Sequence, residues 1–223
     1  DCPTSLYCVS HLNNPFRLPR TVLPSRYEVS LTPDLDAASF MGTVLISAEA
    51  TEAVSEIVVN AIELDIASVT VNGIAASFTL HEESERLIIS ADVAQGPCDI
   101  AIAFTGILND KLRGFYRSTF TDDSGVVRTI ATTQMQATDC RRAFPCFDEP
   151  DFKAVFAIDL TIKSEFLAVS NSSETKREVL ANGLTRIWFA DTMIMSTYLV
   201  AFVVGPLEAT ETEMVGNIAV RII

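Results

Sequence analysis

The chain has 223 residues, 48% of them apolar and 20% charged, a soluble globular composition long enough to bury one sizeable core. Twenty-nine acidic against 16 basic side chains give a formal charge of −13, which repels phosphate backbones and anionic lipid. No apolar run reaches the roughly 18 residues of a spanning helix, so nucleic acid and membrane are set aside as partners.

Residues 1–15 carry no readable period and are expected to be a trimmed end or an added arm, a signal peptide being absent or already removed. Residues 16–223 show no repeat, low-complexity tract or linker and read as one continuous unit. Within that unit, residues 27–31, 42–48, 68–71 and 186–189 alternate apolar and polar side chains with a period of two, which predicts strands. Asn72 with Gly73 and Asn182 with Gly183 supply the positive φ angles of tight hairpins, and residues 122–125 make a longer turn. Many short strands joined by tight turns predict an all-β fold. Helical signal is confined to residues 138–144 and 149–154, giving one or two short helical turns. Residues 216–223 have strand character and stop without a polar tail, as in a piece of a longer protein.

The chain has no phosphate-cradling glycine loop, no G-x-S-x-G elbow and no C-x-x-C. Its two histidines, His11 and His81, are far apart, and residues 81–85 start like the zinc helix H-E-x-x-H but place Glu85 where the second imidazole belongs. That segment reads as an acidic hairpin. Cys2, Cys8, Cys98, Cys140 and Cys146 are odd in number and sparse, which predicts reduced thiols in a cytoplasmic protein. The spacing of Cys140 and Cys146 repeats that of Cys2 and Cys8, yet zinc ribbons prefer gaps of about two to four residues, so the cysteines read as small buried side chains. Cys146 is expected beside Phe144 and Phe147. Asn171 opens a glycosylation acceptor only if the protein is secreted.

Residues 132–150 stand apart. They gather Gln134, Gln136, Arg141, Arg142, Asp139, Asp148 and Glu149 with two prolines in one non-repetitive stretch, more than a plain connection needs. The arginines can pair with Asp139, Asp148 or Glu149 and pin a loop. Gln134 and Gln136 lie two apart, so in an extended segment both face one side, where their oxygens can accept hydrogen bonds from a ligand ammonium.

Residues 133–153 resemble, nearly letter for letter, the run T-Q-x-E-x-T-D-A-R-R-A-F-P-C-F-D-E-P and following lysine of the M1 zinc aminopeptidases. Residues 18–27 are similar to that family's opening strand, residues 114–118 to its G-F-Y-R-S segment, and residues 191–199 with Ala201 and Phe202 to its final strand pair. The resemblance implies a large, twisted, saddle-shaped domain of antiparallel and mixed sheet, the amino-terminal domain of a zinc metalloaminopeptidase. It implies no catalytic and no metal-binding residue here, zinc being the cofactor of a catalytic domain elsewhere in the parent, so this piece alone is not expected to hydrolyse peptides. The implied partners are that catalytic domain and a peptide amino terminus, with self-association of the isolated piece. Gln136 maps onto the acidic residue that helps hold the substrate ammonium, with Gln134 as neighbour or support; glutamine there resembles the leukotriene-hydrolase and aminopeptidase B branch. A noncatalytic M1-like scaffold and a sheet-edge interaction module are the alternatives.

Overall fold

The computed structural model describes residues 17–223, so the expectations for residues 1–15, including Cys2, Cys8 and His11, lie outside the described residues. The first half of the chain forms strands β1 (Val22–Asp34), β2 (Ser39–Ala50), β3 (Val54–Asn60), β4 (Leu64–Val71), β5 (Ile74–Ala75), β6 (Ser77–His81), β7 (Arg86–Val93) and β8 (Gly96–Ile107). The second half adds β9 (Gly114–Thr121), β10 (Val127–Gln134), β11 (Val155–Lys163), β12 (Leu167–Ser170), β13 (Glu174–Val179), β14 (Leu184–Phe189), β15 (Phe202–Gly205), β16 (Glu213–Val215) and β17 (Ile218–Val220). The fold is all-β, as the period of two predicts. In β1 the side chains of Tyr27, Val29 and Leu31 are buried while Glu28 and Ser30 are not, and β2 and β8 repeat the alternation with Val44 and Ile46, and with Ile100, Ile102 and Phe104.

An eight-stranded sheet runs β13-β14-β11-β1-β2-β8-β4-β5, a four-stranded sheet β12-β15-β10-β9, a three-stranded sheet β3-β7-β6 and a two-stranded ribbon β16-β17. Neighbouring strands pair antiparallel, some as hairpins of consecutive strands and others, such as β2 with β8, across longer connections. The exception is β11, which pairs parallel to β1 with Tyr27 opposite Phe156. A parallel partner cannot be reached by a tight turn, and the chain arrives at β11 through residues 135–154, a stretch with no strand of its own. That connection is the distinctive run.

One buried cluster extends from Leu18 to Val204. Tyr27 and Phe156 stack at 4.8 Å between ring centroids, with Phe144 tilted against both, while Phe115 meets Phe40 and Phe202 edge-on. The turn chemistry follows the sequence: Asn72 and Gly73 have φ of 51° and 77°, Asn182 and Gly183 64° and 74°. Asp122 caps its own turn through Oδ1, which accepts from the Ser124 and Val126 amides. The acidic segment at residues 81–85 is a hairpin turn, with a 3-10 turn at Glu82–Ser84. Hairpin β16-β17 is exposed along its whole length, with Met214, Val215 and Ile218 facing solvent. Among the described residues no helix is long and apolar enough to cross a membrane.

Two local expectations are corrected. Residues 138–144 hold the expected short helical turn, a 3-10 turn at Cys140–Arg142, but residues 149–154 contain no helix. The latter close a single turn, Phe152 N–H to Glu149 O at 3.1 Å, because the Glu149 carboxylate is drawn to Arg17 and the Leu18 amide and the Phe152 ring is drawn inward against Phe147. Of the supposed final strand pair only β15 is a strand; the segment before it is a loop ending in a 3-10 turn at Thr197–Leu199.

Tyr27 links the core to the connection, since its buried Oη accepts a hydrogen bond from the Phe147 amide at 3.1 Å. Tyr27→Phe keeps the ring stack but leaves that amide unpaired, and urea unfolding is expected to report a loss of about 1–3 kcal/mol.

Candidate functional site

Gln134 ends β10 and lies opposite Gly114 in the register with β9. Beyond it Met135 is buried whereas Gln134 and Gln136 are exposed, Gln134 at the end of the strand and Gln136 in the turn that follows. The Asp139 amide donates to Met135 O at 2.9 Å and closes a turn that carries Gln136; the Gln136–Ala137 peptide is cis. Among the described residues neither carboxamide has a hydrogen-bond partner.

The charged residues of the run behave otherwise. Asp148 has a side chain only 1% exposed. Its Oδ2 accepts from Arg141 Nε at 2.9 Å and from the Arg141 amide at 3.3 Å, and its Oδ1 accepts from Thr197 Oγ1 at 2.6 Å. Arg141 also donates from Nη2 to Asp148 O and from Nη1 to Glu85. Arg142 donates from Nε to Asp139 Oδ1 at 2.7 Å, and its Nη1 lies 2.9 Å from Glu63 Oε2 in an ionic contact without good hydrogen-bond alignment. Glu149 accepts from Arg17 Nε at 2.7 Å and the Leu18 amide at 2.5 Å, with Arg20 beyond. Arg20 in turn pairs with Asp151 and stacks over the Phe152 ring. The expected pairs Arg141–Asp148 and Arg142–Asp139 are present; Glu149 instead holds the segment leading into β1.

Around these pairs the backbone closes a clasp. Asn60 and Cys146 exchange two backbone hydrogen bonds, Asn60 Oδ1 accepts from the Asp148 amide, and Asn60 Nδ2 donates to Glu85 O. Gly114 makes room for it: with φ of 67°, a Cβ there would stand 2.7 Å from Arg142 Cβ and 3.3 Å from Asp139 O. The resembling segments at residues 18–27, 114–118 and 133–153 therefore meet in one place. Glu63, Glu85, Asn60 and Thr197 escaped the sequence reading because each reaches the run from far along the chain. Only the acidic cluster around Glu85 was visible, and it resembled a solvated turn. Asn171 is likewise occupied, donating to Leu199 O and accepting from the Ala201 amide, both at 2.8 Å.

Cys140, Cys146 and Asp148 place their ligating atoms within 4.8 Å of one another. This donor set does not suit zinc, because both Asp148 oxygens are already hydrogen-bonded and the Arg141 cation stands beside them. Cys98, Cys140 and Cys146 are free thiols, and Cys146 is buried together with Phe144 and Phe147. Burial pushes the Cys140 thiol up and holds Cys146 well above the ordinary thiol range. His81 is exposed on its hairpin. A cleft of about 460 Å3 lies beside the clasp, lined by Thr138, Arg141, Glu85 and Glu149 among others, but not by Gln134 or Gln136. The two carboxamides lie on open surface.

The peptidase M1 N-terminal domain family matches residues 23–199. Aminopeptidase M1-A of Oryza sativa subsp. japonica is 40% identical over 218 residues, covering 92% of this chain and 24% of the relative. Aminopeptidase M1 of Arabidopsis thaliana is 37% identical over 222 residues, with coverage of 92% and 24%. The alanine/arginine aminopeptidase of Saccharomyces cerevisiae is 37% identical over 203 residues, with coverage of 87% and 24%. The chain spans about a quarter of the length of these curated relatives.

Asp148→Asn removes the charge that answers Arg141 in a buried position, and thermal or urea unfolding is expected to show a loss of about 3–5 kcal/mol. The thiols supply a second check. A thiol whose folded pKa is raised contributes stability in full below the unfolded value of about 8.5, and loses it as pH rises from there through the folded pKa. Cys140 and Cys146 are expected to resist a thiol reagent at neutral pH until denaturant is added, and stability should fall above pH ~8.5 less steeply in Cys146→Ala.

Proposed function

The chain belongs to the peptidase M1 family as an amino-terminal domain, and from that membership we propose that it forms one wall of the active site of a longer zinc aminopeptidase. In this reading Gln136 accepts a hydrogen bond from the free ammonium of a peptide substrate, and Gln134 stands beside it as support. One observation carries the assignment. In a run whose arginines and carboxylates are drawn into internal pairs, the carboxamides of Gln134 and Gln136 are exposed and, among the described residues, without a hydrogen-bond partner, as is the Thr138 hydroxyl.

An aminopeptidase must distinguish a free amino terminus from an internal peptide bond, and a directed acceptor at a fixed place does this. The carboxamide oxygen provides direction without a full charge, so acidic groups elsewhere in the longer protein supply the Coulombic part of ammonium binding. A zinc ion held outside this chain would supply the hydrolytic chemistry; the described residues offer it no suitable site. A cytoplasmic location and docking of the catalytic domain against this one belong to the same proposal.

At the eight-stranded sheet the sheet-edge alternative is less well supported. One edge of the eight-stranded sheet, β13, carries Glu174, Lys176, Arg177 and Glu178 and a register shift, and the other, β5, is two residues long. Charged, irregular or very short edges disfavour strand addition.

Gln136→Ala in the longer protein is expected to lower kcat/KM by about 1–3 kcal/mol in free-energy terms, the worth of a hydrogen bond to a charged group. The melting temperature should stay nearly constant, since the side chain ties nothing down. Unchanged kcat/KM per folded molecule would refute the assignment.

A further inference from the structure

Glu63 and Glu85 sit at φ of 58° and 53°, left-handed backbone positions that Gly and Asn accept more readily than Glu. They belong to different turns, one between β3 and β4 and one between β6 and β7. Yet both aim at the same guanidinium. Arg142 Nη1 lies 2.9 Å from Glu63 Oε2 and Nη2 lies 3.5 Å from Glu85 Oε1. Glu85 also holds Arg141 at 2.8 Å, and Glu63 reaches Arg113 at 3.4 Å. The two arginine side chains are about one-tenth exposed, whereas Glu85 is 30% and Glu63 42% exposed. The arginines are thus fixed inside, and the carboxylates close over them from outside.

From Arg142 the restraint passes straight to the carboxamide loop. Its amide donates to Asp139 O at 3.1 Å and its Nε to Asp139 Oδ1 at 2.7 Å, while the Asp139 amide closes the turn back to Met135 O at 2.9 Å. Gln136 lies inside that turn. We infer that Glu85 and Glu63 are positioning residues, which hold Gln136 in place through Arg142 and Asp139 without touching a substrate themselves. The inference rests on the proposed role of Gln136 in ammonium capture. Partly exposed ion pairs contribute little to global stability because water screens them. The two carboxylates therefore account better for the placement of one loop than for the survival of the fold.

Glu85→Asn separates the two roles, because Asn keeps the left-handed turn but removes the charge and shortens the reach. In the longer protein this variant is expected to keep its melting temperature within a few degrees, to exchange the amides of residues 136–142 faster than wild type, and to leave exchange in β1 and β11 unchanged. Its kcat/KM should fall about 3- to 10-fold, never by more than Gln136→Ala alone. In the Gln136→Ala background the additional loss should vanish, since a misplaced residue that is already absent costs nothing further. Glu63→Asn should act in the same direction. Should Gln136→Ala lower kcat/KM while Glu85→Asn does not, or should the two losses multiply, the positioning role is overturned and the ammonium reading stands. Unchanged amide exchange at residues 136–142 in Glu85→Asn overturns the positioning role by itself. Unchanged kcat/KM in Gln136→Ala removes the ammonium reading and the positioning role with it.

Discussion

A carboxylate taken out of water must be answered from within the protein, and the buried Asp148 is answered on every side. Arg141 meets it through its side chain and its amide, Thr197 through a hydroxyl, and Asn60 accepts from its backbone N–H. A buried charge that loses its partner costs several kcal/mol, far more than an exposed one. Every element supplying a partner is therefore held in register with the others: the end of β3, the 3-10 turn at Cys140–Arg142 and the 3-10 turn before β15. The parallel pairing of β1 with β11 depends on this knot, since the chain reaches β11 only by passing through it.

The neighbouring charges extend the knot outward. Glu149 takes hold of Arg17 and the Leu18 amide just before β1 begins, so the start of β1 and the approach to β11 are joined by side chains as well as by sheet hydrogen bonds. Arg142 needs the space that a side chain at position 114 would fill, which explains why a glycine with positive φ opens β9. Segments dispersed over more than a hundred residues of sequence thus share one physical requirement, the enclosure of two arginines and their carboxylates. The same enclosure keeps Cys140 and Cys146 as protonated, inert thiols rather than metal ligands.

The consequence for the surface is a loop fixed from behind and free in front. Met135 and Asp139 anchor the turn on the protein side, while the carboxamides of Gln134 and Gln136 remain with water. An exposed amide exchanges water for a ligand's ammonium at little cost, and a pinned backbone limits the entropy lost on binding. Such an arrangement suits a wall that contributes direction to a site whose charge comes from elsewhere.

The all-β class, the hairpins at Asn72 and Asn182 and the inward faces of β1, β2 and β8 were legible in the sequence because they rest on local periods and on φ preferences of single residues. The helical reading of residues 149–154 failed for the complementary reason: local propensity was overridden when Glu149 turned to Arg17 and Phe152 to Phe147. Nothing near Glu63 or Glu85 in the chain announces that both converge on Arg142, which stands more than fifty residues away. Period and turn chemistry are properties of neighbours in sequence, and by themselves they determined the strands. The pairing of buried charges is a property of neighbours in space, and only the tertiary structure decided it.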